Sequence, residues 1–175
     1  MFGRLTAVTV VLLAASGCTS AVPTPTPAPP PVRPAALAGG ACRHIEFDKV
    51  SAALGARYTI AAAAKTDKTN TCVVRTEESP IPEVVLSVTP TKADSGVFKD
   101  IVKPKGSTAV GGLGKMAYQL ITPAKGTSGP VVEVGWLTGD ARLLFLRLTL
   151  PPGQDAAGVA PKLVSLAKEI DKSSL

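Results

Sequence analysis

Apolar residues fall along this chain in three regimes, and each regime predicts a different kind of element. Residues 5–15 are an unbroken run of apolar and small side chains, preceded by a lone charge at Arg4. The run is shorter than the ~20 residues a membrane-spanning helix needs, so it reads as the hydrophobic region of an export signal. Further on the spacing turns helical at Phe47, Val50, Ala53 and Leu54, with Gly55 placed to cap the end. It then alternates. Tyr58, Ile60 and Ala62 share one side of a strand over 57–63, and a second strand covers 71–76. A third, over 83–89, points Val84, Leu86 and Val88 inward, with Pro80 and Pro82 as turn residues before it. Asp94 suits the N-cap of a short helix carrying Val97, Phe98, Ile101 and Val102.

Residues 103–114 form a loop of Gly, Lys and Pro, after which strands are expected over 115–122, 131–137 and 142–150. Thr138-Gly139-Asp140 is a hairpin signal between the last two. A closing helix carries Leu163, Val164, Ala167 and Ile170. It is expected to start near Ala160, because Pro161 fits a first turn better than a helix interior. The order predicts an α+β domain: a single antiparallel sheet with helices packed on a face.

The hydrophobic run ends in Ala15-Ser16-Gly17-Cys18, small side chains ahead of a cysteine. Here the chain resembles bacterial lipoproteins, whose lipobox ends in a small residue before the lipid-bearing cysteine; Ala15 stands where leucine is commonest. The resemblance implies that 1–17 is a removed signal peptide and that Cys18 carries acyl chains. Several buried chains at ~0.8 kcal/mol per methylene anchor a protein stably where one would not. An ordinary secretory signal is the alternative. Residues 21–34 read AVPTPTPAPPPVRP, a proline density that excludes helix and sheet and favours polyproline II. At ~3.1 Å per residue this stretch would hold a domain about 45 Å from a bilayer. Residues 18–39 are therefore expected to be a lipidated cysteine plus tether, with Thr24 and Thr26 open to O-glycosylation, and 40–175 one folded domain.

Once Cys18 is assigned to lipid, Cys42 and Cys72 remain of the three cysteines. Outside the cytoplasm a structural disulfide is their expected state. Two separately buried thiols are the alternative, and the lack of a Cys-x-x-Cys spacing disfavours a redox pair. Further resemblance is to a group of small actinobacterial lipoproteins of unknown function. It rests on Cys42 with the helix ending Ala53-Leu54-Gly55, on Cys72-Val73-Val74, and on Val110-Gly111-Gly112-Leu113-Gly114 before Ala117-Tyr118. It implies a disulfide-stapled extracytoplasmic domain and carries over no catalytic residue. A looser likeness to extracellular sensor domains of receptor kinases keeps ligand binding in view.

The formal charge is +6, and 13 acidic side chains oppose 17 basic ones once Arg4 and Arg33 are set aside. The two signs are interleaved, and no basic stripe alternates with aromatics, so nucleic acid is not an expected partner. Trp136 is the only tryptophan, so the core must come from Val, Leu, Ile and Ala. His44 is the only histidine. A triad would need it as base with a serine such as Ser51 or Ser107, but it sits two residues from the expected bridge and no Gly-x-Ser-x-Gly elbow is present. One histidine and two tied cysteines leave no zinc set, and Asp67 with Glu77-Glu78 is a poor calcium array. No catalytic residue, metal or cofactor is expected.

The loop 111–114 lacks the Gly-Lys-Ser/Thr of a phosphate-cradling loop and leads into a strand. Lys99, Lys103, Lys105 and Lys115 around it are a candidate anionic-ligand patch. A second candidate is an apolar cavity at the sheet-to-helix interface, where Leu144, Leu146, Leu148, Val97 and Ile101 would meet. The expectation is a non-enzymatic binding or accessory module, anchored at the outer face of the cell membrane. Its partners would be that membrane and a small molecule, lipid or envelope protein. A regulatory subunit of an envelope enzyme or receptor kinase is the runner-up, and an enzyme with a scattered carboxylate site comes third.

Overall fold

Alternating apolar residues drive seven strands into one antiparallel sheet, ordered β1-β2-β3-β7-β6-β5-β4. The computed structural model describes residues 31–173, so the expected export signal, Cys18 and most of the expected tether lie outside the described residues. The strands are β1 (Ile60–Thr66), β2 (Thr69–Arg75), β3 (Glu83–Pro90), β4 (Thr108–Ala109), β5 (Met116–Thr122), β6 (Val131–Leu137) and β7 (Arg142–Thr149). Two meanders, β1-β2-β3 and β4-β5-β6-β7, join where β3 pairs with β7 over Glu83↔Thr149 to Pro90↔Arg142. The α+β expectation holds: the described residues form one antiparallel sheet, three helices and one disulfide.

Val74, Val84, Leu86, Val132, Val134, Trp136, Leu144, Leu146 and Leu148 stand on one face and are fully buried. Helices α1 (Phe47–Leu54) and α3 (Ala156–Ser173) cover that face. From α3, Leu163, Leu166, Ala167 and Ile170 face the sheet, and from α1, Val50. Burying each such side chain is worth about 1.5–3 kcal/mol against leaving it exposed. Gly55 ends α1 in the left-handed conformation, φ 76°, as its sequence position suggested.

The helix α2 (Ser95–Val97) and the π-helical turn Phe98–Val102 take the other face, against expectation. Asp94 does cap α2, accepting from the Val97 N–H at 2.8 Å. Yet Val97 and Ile101 are exposed, Ile101 at 77%, and only Phe98 is driven in. Phe98 buries itself with Tyr118 and Leu137 against Met116, Leu143 and Phe145, the opposite pleat from Leu144 and Leu146. Space for this comes from Gly135, directly across from Tyr118 in the register. A Cβ on Gly135 would lie 2.5 Å from the Tyr118 ring, so the ring lies flat over the glycine and its hydroxyl donates to Glu133 Oε1 at 2.7 Å.

Three other boundaries differ from the periodicity. Strand β1 begins at Ile60 and runs to Thr66, turning tightly through Asp67, whose φ is 52°. Tyr58 is buried ahead of it, whereas Ile60 and Ala62 on the open face are exposed. Helix α3 starts at Ala156 and takes Pro161 into its interior. Asp155 makes this start possible by accepting from the Ala157 and Gly158 N–H groups at 2.9 and 3.1 Å. Ala156 and Ala160, one turn apart, are both buried, and that burial outweighs the hydrogen bond Pro161 cannot donate. Finally, chain packing starts before residue 40: Ala35 is buried in the short 3-10 helix Ala35–Ala38, inside the stretch assigned to the tether.

A second 3-10 helix, Gly40–His44, is tied to β2 by the Cys42–Cys72 disulfide, and both cysteines are fully buried. Closing a loop of 30 residues stabilises by ~3.5 kcal/mol in the chain-entropy model. Replacing both cysteines by serine should therefore lower the unfolding free energy by about 3–4 kcal/mol. Equilibrium denaturation of the oxidised protein and the double variant checks this.

Candidate functional site

The end of the sheet where β2, β3 and β7 meet carries its polar residues on the helix-covered face. Asn70 lies two positions before buried Cys72, Pro90 two after buried Val88, and Arg142 two before buried Leu144, so all three share that pleat. The register sets them side by side through Asn70↔Val88 and Pro90↔Arg142. Onto this end the disulfide docks the Gly40–His44 helix, bringing Arg43 and His44. The result is an open groove of about 350 Å³ lined by Gly40, Arg43, His44, Asn70, Pro90 and Arg142, among others.

Its electrostatics follow from two arginines. The β6–β7 hairpin holds Arg142 in place: its N–H donates to Thr138 Oγ1 at 3.0 Å, and its Nε pairs with Asp140 Oδ2 at 2.6 Å. Ala141 adopts a left-handed φ of 63° to make this turn. Asp140 is held charged, its pKa lowered above all by the Thr138 hydroxyl; desolvation opposes this, and Arg142 adds to the lowering. His44 is pushed the other way. Burial above all, then Arg142 and Arg43, hold its imidazole below the ordinary histidine value, with Asp140 opposing. At neutral pH His44 is thus a neutral donor and acceptor between two cations.

A second recess, about 430 Å³, opens between the Ala35–Ala38 helix and the start of β1. Leu37 and Ile60 line it and are 73% and 46% exposed, and Phe47 forms part of its wall. This apolar strip runs beside β1, whose residues are nearly all exposed.

The expected interior cavity is not where the sequence suggested it. Leu144, Leu146 and Leu148 are fully buried, and Val97 and Ile101 stand exposed on the opposite side of the sheet. Between α1 and α3, a recess lined by Val50, Leu166 and Ile170 holds only about 10 Å³, room for roughly one water molecule.

The other sequence candidates occupy separate places. Lys99 lies on the π-helical turn, Lys103 and Lys105 in the loop after it, and Lys115 just before β5; none of the four lines either groove. The Gly-rich loop is committed to packing. The Gly114 N–H donates to Asp171 Oδ2 at 3.3 Å, and a Cβ there would meet the Leu137 carbonyl at 2.3 Å. The hydroxyls proposed for a triad serve local backbone: Ser51 Oγ accepts from the Tyr58 N–H at 3.0 Å, and Ser107 Oγ donates to the Pro104 carbonyl at 2.6 Å. Asp67 and Glu77-Glu78 flank opposite ends of the seven-residue β2, about 20 Å long, too far apart to share an ion. Among the described residues no group of three or more His, Cys, Asp or Glu is arranged to hold a metal. Nor is any helix there long and apolar enough to cross a membrane.

Arg43, Asn70 and Arg142 were not singled out by the sequence, because residues 27 and 99 positions from Arg43 become neighbours only through sheet register and the disulfide. Arg43's position beside Cys42 was the one signal available. No family model matches the chain, and no curated protein or solved structure shows significant similarity to it.

Asp171 also accepts from the fully buried Trp136 indole N–H at 3.0 Å, tying α3 to β6 and to the Gly-rich loop. Asp171→Ala should cost roughly 1.5–3 kcal/mol by stranding the indole, and Asp171→Asn distinctly less. Denaturant unfolding followed by the fluorescence of this single tryptophan measures both.

Proposed function

We propose that this protein is a lipid-anchored, extracytoplasmic binding module of the bacterial cell envelope, without catalytic activity of its own. The observation that carries the reading is the Cys42–Cys72 disulfide, which both fits an oxidising compartment and frames the basic groove. Export through the 1–17 signal and acylation at Cys18 would place the domain at the outer face of the membrane, on a Pro/Thr-rich tether. The resemblance to small actinobacterial lipoproteins supports the same placement. A groove in which the hairpin holds Arg142 in place suits recognition: that charge is pre-positioned and loses little freedom on binding.

The alternative is a partner-binding subunit that regulates an envelope enzyme or receptor kinase. Exposed Leu37 and Ile60 along the recess beside β1 favour it, because adjoining apolar residues left in water mark interaction surfaces.

Cell fractionation tests the anchoring. The native chain should enter the membrane fraction and take up radiolabelled palmitate, whereas Cys18→Ser should lose the label and leave that fraction. Native mass spectrometry of the protein extracted from its own envelope then separates the two readings. A small-mass surplus that disappears on denaturation supports the binding module, and a co-purifying polypeptide supports the partner-binding subunit.

A further inference from the structure

We propose that the groove between the Gly40–His44 helix and the ends of β2, β3 and β7 binds a phosphate-type oxyanion, held by Arg43, Arg142, His44 and the Asn70 amide. This deepens the binding-module reading and rests on it. The groove's lining contains both arginines and no carboxylate. Asp140 lies outside the lining and forms an ion pair with Arg142 at its Nε. Two arginines against this one carboxylate leave net positive charge before His44 titrates.

The donor types match the ligand. A tetrahedral oxyanion accepts several hydrogen bonds at once, and guanidinium groups present paired N–H donors in a fixed fork. The Asn70 amide adds neutral donors from the sheet floor, and an imidazole adds one or two according to its protonation. Four lining residues, Arg43, His44, Asn70 and Arg142, are polar or charged, and Ala41, Val88 and Pro90 form apolar walls between them. A volume of about 350 Å³ exceeds what a bare oxyanion needs and admits a phosphorylated small molecule or a lipid headgroup.

His44 makes the site pH-responsive. Arg142 lines the groove with it, Arg43 precedes it on the same 3-10 helix, and Asp140 acts on it from outside the lining. On its other side Glu46, just before α1, and Lys49 of α1, paired to each other at 2.7 Å, share with Glu169 of α3 the small recess that His44 also lines. In the free protein both arginines oppose imidazolium formation. A bound oxyanion replaces that repulsion with attraction, so binding takes up a proton on His44, and by reciprocity acid pH tightens the anion.

The chain's single histidine makes the test direct. The imidazole C–H signals of the lipidated protein, in uncharged detergent, are followed by NMR from pH 4.5 to 8. Titrations are run without added anion, with sulfate, with inorganic phosphate, and with a soluble short-chain phosphatidylglycerol. The His44 midpoint should rise by about one pH unit at saturating anion, which corresponds to roughly tenfold tighter binding below that midpoint. A response to sulfate and phosphate identifies a free-anion site. A response to the phosphatidylglycerol alone identifies a headgroup site. Arg43→Gln, at an exposed position, should weaken anion binding at least about fivefold while leaving Trp136 fluorescence unchanged. An unmoved His44 midpoint in every titration, or an Arg43→Gln protein that binds as the native one does, overturns the proposal. If native mass spectrometry still finds a carried neutral ligand, the binding-module reading survives that failure; if it finds none, both fall.

Discussion

Everything at the groove end of this molecule hangs on one covalent constraint, the bond between Cys42 and Cys72. Without it the Gly40–His44 helix is a five-residue 3-10 turn, a length that does not hold its own conformation in water. With it, the helix is pinned to the second strand of the sheet, two positions from Asn70. Arg43 and His44 are then carried to the place where the hairpin turn holds Arg142. The packing that follows from the same bond buries Ala41, Cys42 and Ile45 and seats α1 behind them. One bond thus sets both the edge of the core and the wall of the groove.

The sheet divides its labour between its faces. The helix-covered core is mainly aliphatic, with Trp136 and Tyr58 as its buried aromatics, and the hydrogen bond from the Trp136 indole to Asp171 locks α3 in register with β6. The opposite face has a small aromatic cluster of its own, built on a missing side chain. Because position 135 is glycine, Tyr118 lies down on the sheet and Phe98 closes over it, ring centroids 6.0 Å apart. A short, irregular helical segment is enough to cover three strands there. The domain needs no third long helix.

Periodicity in the sequence located β6, β3 and the helix ends at Gly55 and Asp94, because there the buried face and the local turn chemistry agree. It failed where they conflict. At Pro161 the ring argues for a helix start near Ala160, but buried Ala156 and the Asp155 cap argue for four residues more, and packing prevails. Around Asp67 the turn depends on an aspartate in the left-handed region, which no glycine announces, so β1 was placed three residues too early. Val97 and Ile101 have helical spacing relative to Phe98, yet a turn that contacts the sheet through one ring leaves them in water. The disulfide followed from compartment and counting. The groove did not, since its members come from positions 40–44, 70, 88–90 and 142, and only the strand register unites them.

That register also dictates an order of events. The first meander is complete in sequence by Pro90, but the outer edge of β3 is answered only by Arg142–Thr149, more than fifty residues later. As the chain emerges N-terminus first, Val84, Leu86 and Val88 must wait beside an open row of amides and carbonyls until the last strand arrives. The disulfide, by contrast, becomes closable once Cys72 has emerged. The molecule is therefore stapled at one end well before it is zipped down the middle, and the bond guards an unfinished sheet whose centre is its final seam.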